Sequence, residues 1–235
     1  MTTLLLVRHG LTAMTGPVLA GWTPGVGLDD RGREQVRDLA ARLALVPIAA
    51  VVSSPLDRCV QTAEALVEGH LAAPIEKVES DERFGEVRYG DWTGRPLKEL
   101  AEEPLWKVVQ AHPSAARFPG EEGEAMADAQ HRAVRAVREW NERIAAEHGA
   151  DATYAVCSHG DIIKAIVADA MGLHLDQFQR IQVAPASLTV IRYTELRPFV
   201  VRLNDTGGDV RDLLPPPPEE GGGGGEGDAP VGGGA

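Results

Sequence analysis

Two His-Gly dipeptides, each at the end of an apolar run, are the residues of this chain best suited to chemistry. Leu4-Leu5-Leu6-Val7 leads into Arg8-His9-Gly10, and Val156-Cys157 leads into Ser158-His159-Gly160. An imidazole is a nucleophile and a proton carrier near neutral pH. A guanidinium beside it can hold two oxygens of an oxyanion at once. A phosphomonoester asks for that pairing, because its transferring group spreads charge over three oxygens and is activated mainly by positioning and electrostatics. Paired histidines therefore suggest phosphate chemistry.

The elements that must carry these residues follow from periodicity. Leu4 to Arg8, Ala49 to Ser53 and Thr153 to Ser158 are short apolar runs suited to buried strands, and a further short strand, third in chain order, is expected near Ile75 to Val78. Between them lie helices. Asp29 or Asp30 can cap one carrying Val36, Leu39, Ala40 and Leu43, and Pro55 starts another over about Leu56 to Glu68. Gly10 to Leu28 is rich in Gly, Thr and Pro and reads as a long functional loop. Glu82 to Pro119 is broken by glycines and prolines and reads as an insertion forming a lid over a site. A long helix from about Glu122 to Glu147 places Met126, Ala129, Ala133, Val137, Trp140 and Ile144 on one stripe. A helix over Asp161 to Met171 and two strands, Ser187 to Tyr193 and Phe199 to Asn204, complete the set.

This alternation predicts an α/β fold: a three-layer α/β/α sandwich around a mostly parallel sheet with an antiparallel edge strand. Ligands of such sheets gather beyond the carboxyl ends of the strands, where both His-Gly sequences lie. One domain over residues 1–204 is expected. Residues 205–235, with Pro215 to Pro218, Gly221 to Gly225 and acidic residues, read as a disordered tail.

Composition narrows the function classes. A formal net charge of -12 argues against a nucleic-acid surface and favours a small, deeply held phosphate group over a polyanion. No stretch is long and apolar enough to span a bilayer, so no membrane role is expected. The two cysteines, Cys59 and Cys157, support neither a disulfide framework nor a thiolate metal site and suit a reducing cytoplasm. Neither a metal nor another cofactor is expected. Cys157 reads as a buried small hydrophobe, its closeness to His159 leaving oxidation open. His70, His112, His131, His148 and His174 read as surface or packing residues. An edge strand or the tryptophan-bearing insertion could support a homodimer.

Four ordered segments resemble the histidine phosphatase superfamily, also called the phosphoglycerate-mutase-like family: VRHGLT, SSPLDRCVQTAE, ERFGEVRYGDWTG and VCSHGDIIKAIV. The resemblance covers roughly Thr3 to Asn204. It implies His9 as the nucleophile that becomes a phosphohistidine, with Arg8, Arg58 and His159 holding the phosphoryl group. It implies Glu86 as the proton donor, with Glu82 and Asp91 as fallback acids. Gly10 and Gly160 would let backbone approach the phosphate. Leu11 stands where the family usually has Glu or Gln, and the Asn common a few residues later is absent from 13–21. Thr12 could still offer a hydroxyl to the phosphate there.

The resemblance implies a metal-independent phosphomonoesterase of small phosphorylated metabolites. Pro96 to Pro119 has only Lys98, Lys107 and Arg117 among several acids, whereas cofactor-dependent phosphoglycerate mutases carry an additional basic cluster for the substrate carboxylate. Hydrolysis is therefore favoured. A phosphomutase using the same intermediate and an inactive phospholigand-binding module are the alternatives.

Overall fold

Strand β1 (Thr2–Arg8) is apolar on both faces because both faces are covered. In the computed structural model, which describes residues 1–207 apart from 73 and 76, β1 joins β2 (Ile48–Ser53), β3 (Val78–Ser80), β4 (Thr153–Ser158), β5 (Leu188–Tyr193) and β6 (Pro198–Asp205) in one sheet of order β3-β2-β4-β1-β5-β6. The first four of that order run parallel, β5 is antiparallel to β1, and β6 is antiparallel to β5. The reversed strand is thus one place in from the edge.

Side-chain alternation sorts the sheet into two cores. Leu5 and Val7 pack with Val51, Ala155 and Cys157 against helices α1 (Asp30–Leu43) and α2 (Asp57–Glu68). Leu4 and Leu6 face the other way, with Val52, Tyr154 and Val156. There they meet α5 (Met126–His148) and α6 (Gly160–Ala170). The result is the three-layer sandwich.

Two boundaries differ from the periodicity reading. The third strand lies at Val78–Ser80, not at 75–78, because it pairs with the last residues of β2, Val51 with Val78 and Ser53 with Ser80. Its charged Glu79 is accommodated at this outer position by ion pairing with Arg143. Helix α5 starts at Met126 because the preceding residues are held extended: Glu124 N–H donates to the Arg88 carbonyl at 2.9 Å, and Phe118 N–H donates to the Glu124 carbonyl at 3.1 Å.

The 82–119 segment contains two short helices, α3 (Leu97–Leu100) and α4 (Pro104–Ala111), and 3-10 turns at Glu82–Phe84, Gly90–Trp92 and Pro113–Ala115. Phe84, Val87, Tyr89, Trp92, Leu100 and Phe118 sink into the α5/α6 core. Trp92 and Tyr89 each meet Phe118 edge-on, at centroid distances of 5.5 and 4.9 Å. Residues 208–235, where the sequence suggests a disordered tail, lie outside the described residues. Among the described residues no helix is long and apolar enough to cross a membrane.

The turn after β1 is fastened to α1. Asp29 caps that helix by accepting from Gly32 N–H at 2.7 Å, and Asp29 N–H donates to the Leu11 carbonyl at 3.0 Å. Leu11 N–H donates to Gln35 Oε1 at 3.1 Å. A Cβ on Gly32 would lie 2.1 Å from the Leu11 carbonyl oxygen, so only glycine permits the approach. Gly32→Ala should therefore cost about 1–3 kcal/mol in urea unfolding, with the midpoint lowered and the slope unchanged.

Candidate active site

Strand register decides where the two histidines meet. Arg8 pairs with Ser158 across β1 and β4, so the next residue of each strand leaves the sheet at the same level. His9 N–H donates to the Ser158 carbonyl at 3.0 Å, and the two imidazole rings sit 5.2 Å apart at 62°. Strand β2 ends at that level too, where Ser54 N–H donates to the Cys157 carbonyl at 3.0 Å. The first turn of α2 then brings in Arg58. Residues far apart in the chain thus converge at the carboxyl edge of the sheet.

Arg58 ties the group together. Its Nε–H donates to His9 Nε2 at 3.3 Å, and its Nη2–H reaches His159 Nδ1 at 3.3 Å and the Gly21 carbonyl at 2.7 Å. Its Nη1 is buried and has no hydrogen-bond partner among the described residues. His9 Nδ1 lies 2.7 Å from its neighbour's carbonyl at Gly10, which can only accept, so Nδ1 carries the proton and Nε2 keeps its lone pair. His159 Nε2 lies 2.8 Å from Ser54 Oγ. Arg8 is buried and donates through Nη1 to the Val183 carbonyl at 2.6 Å.

Burial and positive charge act in one direction on both imidazoles. The His9 pKa lies well below the usual histidine range, first through burial and then through the Arg58 and Arg8 guanidiniums. His159 is lowered well below that range by burial, Arg58 and His9. Burial also lowers Arg8 to about 10. Glu86 goes the other way. Its carboxyl is buried 4.0 Å from His159 Nδ1 and is raised to about 7 by burial and then by the Asp161 charge, despite a bond from Val87 N–H at 3.0 Å. The site therefore pairs two neutral bases with an acid able to hold its proton near neutrality.

Arg8, His9, Thr12, Arg58 and Glu86 all line one cavity of about 430 Å³ that is open to solvent. Buried His159 stands behind them. Gly160 opens α6 and is outside the cavity wall. Gly10 has a different explanation from approach to phosphate: a Cβ there would lie 2.6 Å from the Gly32 carbonyl oxygen of α1. Glu82 is exposed and paired with Arg88, and Asp91 is exposed, so neither fallback acid reaches the cavity. Cys157 is buried, and burial pushes its thiol well above the usual range, which keeps it protonated. Among the described residues no three His, Cys, Asp or Glu side chains are grouped to hold a metal ion.

Three residues that sequence reasoning passed over shape the acid side. Tyr89, fully buried on the cavity wall, donates its hydroxyl proton to Asp161 Oδ2 at 2.8 Å. Asp161 also faces Lys164, with Nζ 3.6 Å from Oδ1. An acid and a lysine in an otherwise apolar helix were the available signal. Arg132 of α5 donates to the carbonyls of Arg83, Gly85 and Glu86 at 2.6, 3.0 and 3.0 Å and pairs with Glu124. Its partners are backbone atoms of an irregular segment, which no spacing rule reveals.

The chain matches the model of the histidine phosphatase superfamily (branch 1) over residues 4–206. It belongs to that superfamily. Phosphoserine phosphatase 1 of Hydrogenobacter thermophilus is 29% identical over 218 residues, covering 88% of this chain and 93% of that protein. The 2,3-bisphosphoglycerate-dependent phosphoglycerate mutase 2 of Gloeobacter violaceus is 28% identical over 186 residues, covering 78% and 82%. The structure of Bacillus stearothermophilus YhfR superposes with a TM-score of 0.76 at 28% identity, covering 87% of this chain and 98% of that one. The superfamily fold is thus present nearly end to end over the described residues.

The raised carboxyl is directly measurable. A ¹³C NMR titration should place Glu86 at about 7, and Asp161→Asn should move it downward, since a repelling negative charge is removed. An unchanged midpoint in that variant would show that burial alone sets it.

Proposed function

We propose that this protein is a metal-independent phosphomonoester hydrolase acting on small phosphorylated metabolites through phospho-His9. The observation that carries the reading is the tautomer: the Nδ1 proton of His9 is held by Gly10, which leaves the Nε2 lone pair beside Arg58. In the first step Nε2 attacks phosphorus, the ester P–O bond breaks, and the leaving alkoxide takes the Glu86 proton. In the second, water attacks phosphorus and gives a proton to the Glu86 carboxylate. The P–N bond breaks and inorganic phosphate departs. Arg8, Arg58 and His159 would hold the equatorial oxygens, with Thr12 at their edge.

The spare Arg58 Nη1 donor, buried on this cavity, supports that role. The phosphatase and mutase relatives share the phosphoryl chemistry and differ in its acceptor. The distribution of charge favours water. Lys98, Lys107 and Arg117 are absent from the cavity wall, and Arg117 pairs with Asp128. A cytoplasmic location belongs to the same reading and is supported by two buried, unbonded cysteines.

Rapid quench with a ³²P-labelled ester should trap acid-labile, base-stable phosphate on the wild type and none on His9→Ala, with turnover lower by about 10³-fold or more in the variant. Full hydrolysis by His9→Ala would overturn the mechanism, phosphoryl transfer to a second hydroxyl would favour the mutase, and no labelling of the wild type would favour a binding module. Glu86→Gln should lose about 10²–10⁴-fold on alkyl phosphates and much less on p-nitrophenyl phosphate, whose leaving group needs no proton. For alkyl esters kcat/KM should fall as pH rises through about 7, where Glu86 loses its proton. Once the ester's own second ionisation, at about 6, is factored out, no acid limb should remain near the ordinary histidine pKa, because His9 stays neutral well below it.

A further inference from the structure

The floor and the mouth of the cavity differ in chemistry. Arg8 and Arg58 are the cations that line it among the described residues, and both lie at the floor with His9. The mouth is built by the half-buried Met14, Val18 and Ala20 from the loop after β1 and by Leu97 from α3, with buried Leu19 beneath them. Its polar side chains are Thr12 and Thr15, whose hydroxyls lie 3.0 Å apart and also engage the Thr12 and Met14 backbone N–H groups. Arg88, next to Tyr89 in the chain, and Arg95, two residues before Leu97, do not line the cavity and are already paired. Arg88 pairs with Glu82 and Glu122 while stacking on Trp22, and Arg95 pairs with Glu103.

An anion on the leaving group would therefore meet an apolar rim and the Glu86 carboxyl, with no cation among the described lining residues beyond the two at the phosphoryl floor. A charge desolvated without a partner is strongly disfavoured, whereas a hydroxyl finds Thr12 and Thr15 and an alkyl chain finds the rim.

We propose that this site selects phosphomonoesters of small, uncharged, partly apolar alcohols and discriminates against esters that carry a carboxylate or a second phosphate. The proposal rests on the hydrolase reading of the same site. It separates this chain from relatives whose names specify phosphoserine and bisphosphoglycerate.

The test compares the full chain on matched three-carbon esters whose leaving alcohols differ mainly in charge: n-propyl phosphate and glycerol 3-phosphate against 3-phosphoglycerate, phosphoserine and propane-1,3-diol bisphosphate. The expected result is a kcat/KM at least tenfold higher for the uncharged pair, with the difference in KM more than in kcat. Met14→Lys, and independently Leu97→Lys, should narrow that ratio by raising activity on 3-phosphoglycerate. Phosphohistidine formation with all esters, but equal or better turnover of the carboxylate esters by the wild type, would overturn this inference and leave the hydrolase reading intact. Failure of every ester to phosphorylate His9 would overturn both.

Discussion

The site depends on two guanidiniums buried beside two imidazoles. Arg58 touches both rings, and the fold pays its desolvation by giving it the Gly21 carbonyl and two neutral ring nitrogens as partners. Burial first, and then the like charge of the two arginines, hold His9 as the free base. The same charge awaits a phosphoryl dianion. One arrangement thus performs two tasks, keeping a nucleophile's lone pair available and attracting the group it would attack.

The acid side is organised by opposite means. Glu86 sits on a segment with no regular secondary structure, yet Arg132 gathers the carbonyls of Arg83, Gly85 and Glu86 and Trp22 Nε1–H donates to the Glu86 carbonyl at 2.6 Å. The aromatic residues that follow are part of the α5/α6 core. A carboxyl held this way is fixed relative to His159 without the help of a bound ligand, as proton transfer at a defined distance requires. Asp161 contributes charge from behind, and its own position is set by Tyr89 and Lys164.

Much of this was legible in the residues. The strand and helix periods place β1, β2, β4, α1, α2 and the stripe of α5 where they lie, because each buries a continuous apolar face whose spacing is written in the chain. The convergence of His9 and His159 follows from two apolar runs ending in the same dipeptide, given a parallel pairing in register. Short β3 was less legible, since its position is set by the partner strand and not by its own hydrophobicity. The packing constraint on Gly10 was not legible, because the carbonyl that a Cβ would strike belongs to Gly32 in helix α1. Arg132 and Tyr89 act through tertiary contacts with irregular backbone, and such contacts leave no period to read.

The attachment of the mouth explains how selectivity can be adjusted without disturbing the chemistry. The loop after β1 is joined to the 94–97 segment through backbone: Leu19 N–H donates to the Arg95 carbonyl at 3.0 Å, Gly94 N–H to the Leu19 carbonyl at 2.7 Å, and Leu97 N–H to the Pro17 carbonyl at 3.0 Å. These bonds are indifferent to which side chains residues 14, 18 and 97 carry. The floor has no such freedom, since its bonds are made by side chains, Arg58 to His9, His159 and the Gly21 carbonyl and Arg8 to the Val183 carbonyl. A change at the rim therefore alters what the leaving group meets while the register of β1 and β4 continues to hold His9 against Arg58. Separation of a fixed phosphoryl floor from a replaceable rim follows from which atoms, backbone or side chain, make the bonds.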